Sequence, residues 1–98
     1  MLFAVVYIAR DVTEDSQKRS LNLFTNWKPP AGYEFKSHYS YADGTGGTAI
    51  VEANSPEALL EGHAPWAPFF DFRTIPVVDI MKAVPIFQRV NAWRDSVK

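Results

Sequence analysis

Apolar and polar positions alternate most regularly between Tyr33 and Ala53, in the stretch YEFKSHYSYADGTGGTAIVEA. Two-residue alternation of aromatic and β-branched side chains with polar ones predicts a strand on each side of a turn. The turn is Asp43-Gly44-Thr45-Gly46-Gly47, where glycine and aspartate make unusual backbone angles cheap. With all five residues looped out, Ala42 pairs with Thr48 and His38 lies directly across from Glu52. That register puts Tyr33, Phe35, Tyr39 and Tyr41 on one face with Ala49, Val51 and Ala53. Glu34, Lys36, His38 and Ser40 then share the other face with Thr48 and Ile50. A shift by one residue would mix the two sets, so the self-consistent register is the expected one.

The rest of the chain covers this hairpin. Leu2 to Ala9 is an apolar run without a polar face, as in a strand covered on both sides at the centre of a sheet. Thr13 is placed to cap a helix whose first turn carries Glu14 and Asp15. Gln17, Ser20, Leu21, Phe24 and Trp27 form its stripe, and Pro29-Pro30 stops it. After the hairpin, Ser55-Pro56-Glu57 marks a second helix start, and the helix runs to His63. Phe69 to Ile75 predicts a fourth strand, placed at a sheet edge by Pro76. Pro85 is the expected opening of a last helix, with Ile86, Val90 and Trp93 at helical spacing.

This order, β-α-β-β-α-β plus a terminal helix, predicts one ferredoxin-like α+β domain over residues 1–98 with a four-stranded antiparallel sheet. Right-handed crossovers put the first and third strands in the middle. Helices cover one face. The first strand is apolar on the other face too, and an uncovered apolar face marks an association surface. A homodimer with two sheets face to face is therefore expected, enclosing a cavity between them.

Composition narrows the function. A net charge of -1 without basic clusters argues against nucleic acid. No cysteine is present, which removes disulfides, thiolate catalysis and thiolate metal sites. The apolar start is too short to span a bilayer and lacks a basic leader, so a cytoplasmic protein with no membrane partner is expected.

Several segments resemble a known family: MLFAVVYIAR, NWKPPAG, KSHYSYADGTGG followed by AIVEA, APWAPFFDF, PVVDI and AVPIFQ. Over nearly the whole chain they resemble a small bacterial family catalogued only as a domain of unknown function, placed among the dimeric ferredoxin-like α/β barrels. The resemblance implies the fold and the dimer. It carries no reaction. More distant members of that superfamily include cofactor-free monooxygenases, lactone isomerases and haem-dependent enzymes, which by analogy of fold imply a small ligand between the sheets.

His38 and Glu52 are the candidate catalytic pair, because a carboxylate beside an imidazole fixes its tautomer and raises its basicity. An ordinary cross-strand polar pair explains the same residues. Tyr7, Lys36, Ser40 and Ile50 are the accompanying ligand-binding candidates: a hydroxyl, a cation, and two neighbours of His38 on its predicted face. Lys36, like Arg10 and Arg73, would attract an anion if it reached the cavity, and is otherwise solvated. His63 is expected to help satisfy the end of the second helix. Two histidines far apart with scattered acids do not make a metal site, and no cofactor is implied; haem through His38 would rest on superfamily analogy alone. The glycine turn joins two strands, so it is not a phosphate loop. Trp27, Trp66 and Trp93 are read as core. Three functions remain: a small-molecule-binding dimer, a cofactor-free monooxygenase or isomerase with His38 as general base, and a structural dimerisation module.

Overall fold

The computed structural model describes residues 1–98. Its elements are β1 (Leu2–Ala9), α1 (Glu14–Thr25), β2 (Tyr33–Ser40), β3 (Gly46–Ala53), α2 (Pro56–His63), a 3-10 turn (Ala64–Trp66), β4 (Phe70–Pro76) and α3 (Ile80–Ser96). The four strands form one antiparallel sheet in the order β2-β3-β1-β4. The apolar run of β1 is central, and the strand that ends in Pro76 is at the edge, where a missing amide costs no ladder bond. This is the ferredoxin-like arrangement that the pattern predicts.

The helix starts are built by their caps. Thr13 and Ser16 cap each other reciprocally, Ser16 N–H donating to Thr13 Oγ1 and Thr13 N–H to Ser16 Oγ. Ser55 Oγ accepts from Ala58 N–H at the start of α2. The last helix begins five residues before the expected Pro85. Asp79 caps it by accepting from Met81 N–H, and Pro85 lies inside the helix.

The hairpin register differs from the expected one. The Asp43 carboxylate accepts from both the amide and the hydroxyl of Thr45, closing a tight turn over Ala42–Thr45, while Tyr41 N–H donates to Gly46 O. Gly46 and Gly47 therefore belong to β3. Their job is close approach: a Cβ on Gly46 would strike the Tyr7 carbonyl, and one on Gly47 its phenol. His38 consequently pairs with Ala49, and Glu52 with Glu34. An irregularity between Phe35 and Ser37, where Lys36 is the extra residue, restores the apolar face. Tyr33 and Phe35 before the bulge, and His38 and Ser40 after it, thus share the helix-covered face with Ala49, Val51 and Ala53.

That face holds the core: Val5, Tyr33, Ala49, Val51 and Ala53, with Trp27, Phe35 and Phe72 packed against it. The opposite face of the sheet carries Ala4, Val6, Ile8, Ile50 and Ile75 with no element of the chain over it. No residue of α3 is buried, and the molecule measures 58 × 29 × 19 Å. No helix is long and apolar enough to cross a membrane.

Candidate functional site

The site is the gap between α1 and the sheet. Nothing on α1 is fully buried, and the buried indole of Trp66 reaches its backbone. Its Nε1–H donates to the Ser20 carbonyl at 3.1 Å, and its ring meets Trp27 edge-on at 4.9 Å. The gap is a cavity of about 400 Å³, within the range of small-molecule sites. Aromatic rings from every side line it: Phe24 and Trp27 above, Phe35, Phe70 and Phe72 from the strands.

Two tyrosine–histidine pairs stand in its polar lining, with Gln17, Ser20 and Ser40. Tyr7 Oη on β1 lies 2.7 Å from His38 Nε2 on β2. Tyr33 Oη on β2 lies 2.9 Å from His63 Nε2 at the end of α2. Each imidazole is also stacked on a phenylalanine: His38 on Phe35 (4.6 Å between ring centres, 9° between planes) and His63 on Phe72 (4.8 Å, 1°). Burial among these rings lowers the pKa of both histidines, so both are neutral at pH 7. Burial, with a smaller contribution from neighbouring phenols, raises Tyr7 and pushes Tyr33 up to about 12. The phenols are therefore protonated, and in the tautomer with hydrogen on Nδ1 each O–H donates to its Nε2. No Asp, Glu, Lys or Arg lines the cavity.

Of the residues singled out in the sequence, the structure brings Tyr7, His38 and Ser40 together on this cavity. It does not bring the other three. Glu52 is on the opposite face, where its carboxylate accepts from the Met1 amino group. Its separation from His38 follows from the register, three residues away from the expected one. Ile50 is on that opposite face too. Lys36 is exposed at the bulge and donates to Glu34 at 3.4 Å. This cavity lies under the helices of the same chain, and Tyr7 and His38 point to that side of the sheet.

His63 and the aromatic walls escape the sequence reading. The Ala64 amide, rather than the His63 side chain, closes the end of α2 by donating to Leu60 O. One signal for His63 is present: Ala58, Leu59, Gly62 and His63 form the inner stripe of α2, with Ala58 and Gly62 buried. No three His, Cys, Asp or Glu side chains converge anywhere as a metal site would require.

Fold and site together define a ferredoxin-like α+β domain with an aromatic, uncharged cavity between sheet and helices. The chain belongs to the family described as Domain of unknown function (DUF3303), whose model matches residues 1–91. No curated protein matches it.

Proposed function

We propose that this protein binds a small, largely apolar and uncharged ligand in the cavity under α1, and that it works as a cytoplasmic homodimer. One observation carries the ligand reading. Two neutral tyrosine–histidine pairs face an aromatic cavity that no charged side chain lines. A charged ligand would lose its hydration there with no counter-charge to replace it. A flat, uncharged molecule keeps its stacking and meets phenol and imidazole groups that both donate and accept.

The uncharged fluorophore N-phenyl-1-naphthylamine tests this. It should bind saturably at one molecule per chain and quench the tryptophan emission of Trp27 and Trp66. Leu21→Trp, which adds bulk at an exposed lining position on α1, should block it. Non-saturable binding, or binding indifferent to Leu21→Trp, would overturn the reading. Native mass spectrometry of gently purified protein would then weigh any bound metabolite.

A cofactor-free enzyme with His38 as general base is the second reading, favoured by the 2.7 Å contact between Tyr7 Oη and His38 Nε2. In that reading the substrate gives its proton to the Tyr7 hydroxyl as His38 Nε2 takes the phenol's own, and Glu52 plays no part. His38→Ala should then abolish turnover while leaving the fold intact.

A further inference from the structure

The helix α3 has an apolar side with nothing on it. Ala83, Ile86, Val90 and Trp93 recur at steps of three, four and three residues, the spacing of a helix that packs along a seam. Yet none of α3 is buried, and Trp93 is 67% exposed. The uncovered face of the sheet, with Val6, Ile8, Ile50 and Ile75, is a second apolar surface of the same chain, and Ile8 is 43% exposed.

Size says how much surface is waiting. A compact monomer of 11.1 kDa exposes about 5,700 Å², whereas this chain exposes 7384 Å². The excess, about 1,700 Å² per chain, is what one subunit of an obligate homodimer covers. The radius of gyration agrees: 17.5 Å, against about 13 Å for a compact domain of this length.

The charges are complementary as well. From Ile80 onward the chain has four cations (Lys82, Arg89, Arg94, Lys98) and one anion (Asp95), a balance of +3. The preceding residues hold six cations and ten anions, a balance of -4. Helix and body therefore attract. Folding back within one chain is hindered by the link between β4 and α3. It is three residues long, Val77 N–H is bonded to Leu2 O, and Asp79 is committed to the helix cap.

We infer that α3 is an exchanged arm: the apolar stripe of each chain lies on the uncovered sheet face of a second copy, and the partner returns the same contact. This builds on the homodimer reading above and seats the partner's helix, in place of its sheet, on the uncovered face. A two-fold axis makes the two contacts identical.

The test is sedimentation velocity on the full chain across a concentration series, with Val90→Asp and Val90→Lys on the arm and Ile50→Asp on the receiving face. The unsubstituted chain should run at twice its 11.1 kDa mass. Each substitution should weaken the dimer by about a hundredfold or more, because it buries an unpaired charge. Far-UV circular dichroism should stay unchanged for the Val90 variants, since Val90 is 41% exposed on a helix with no buried residue, and Val90→Lys retains a good helix former. A monomeric parent, extended or compact, would overturn both the arm and the homodimer. A dimer that survives both Val90 variants would overturn the arm alone, and the pocket reading stands or falls separately on probe binding.

Discussion

The phenol of Tyr33 meets the imidazole of His63 at 2.9 Å, joining the first residue of β2 to the last residue of α2. Tyr33 is 7% exposed, and Trp27 and Phe35 hold its ring edge-on at 6.1 and 5.4 Å. The contact is thus both a strut between sheet and helix and one wall of the cavity. Tyr33→Phe removes the hydroxyl and leaves the ring. It should cost about 0.5–1.5 kcal/mol, the net worth of one hydrogen bond, measured by urea denaturation.

The two histidines make stability depend on pH with a definite sign. Burial lowers both pKa values below the ordinary 6.5, so the unfolded chain binds more protons than the folded one in the window beneath it. Their contribution is complete above about pH 6.5 and is lost as pH falls through the lowered folded values. Thermal melts from pH 8 to pH 5 should show a falling midpoint. As the chain has only these two histidines, the double variant His38→Gln/His63→Gln should flatten the profile between pH 6.5 and 5.

Tyr33 makes the converse case at alkaline pH. Its pKa, pushed up to about 12, stabilises the fold fully below the unfolded value near 10 and progressively less as pH rises through the folded one. Absorbance at 295 nm should show one of the four tyrosines ionising near pH 12 or only on unfolding. Tyr33→Phe should remove that last step.

Gly62 leaves room for the same ring. A Cβ at this helical position would sit 2.7 Å from Tyr33 Cε2, with the ring pinned by its neighbours. Alanine gains roughly 1 kcal/mol of helix propensity over glycine, but overpacking costs about 1–3 kcal/mol. The clash wins because Tyr33 cannot swing away without losing His63. Gly62→Ala should therefore destabilise by up to about 2 kcal/mol in chemical denaturation, and Gly62→Ala/Tyr33→Ala should show strong non-additivity.

Most of the fold was legible because its signals are local: the Thr13 and Ser55 caps, the unbroken apolar run of β1 and the edge proline of β4 act within a few residues of themselves. The site was legible only in part. His38 and Tyr7 stand out as chemistry, but which face they occupy depends on the hairpin register. That register was set by two facts no alternation pattern contains: Gly46 and Gly47 are needed against Tyr7, and Lys36 bulges out. One bulge reverses the facing of every residue beyond it, which exchanged Glu52 for Tyr7 as the neighbour of His38. His63 was harder still, since it ends a helix of only eight residues and nothing local points to Tyr33 as its partner.

The exchange of partners can be measured directly. Glu52 lies on the far face of the sheet, bonded to the Met1 amino group, whereas Tyr7 touches His38. Following the His38 Cε1 proton by NMR, Glu52→Gln should leave the imidazole titration within about 0.2 units, because solvent and the sheet screen a charge on the other side. Tyr7→Phe removes the hydrogen bond to Nε2 and should move both the chemical shift and the titration midpoint. It should also weaken binding of an uncharged aromatic probe by about tenfold, the worth of one hydrogen bond. A large shift with Glu52→Gln and none with Tyr7→Phe would mean that the strands pair in the other register in solution, with His38 turned away from the cavity.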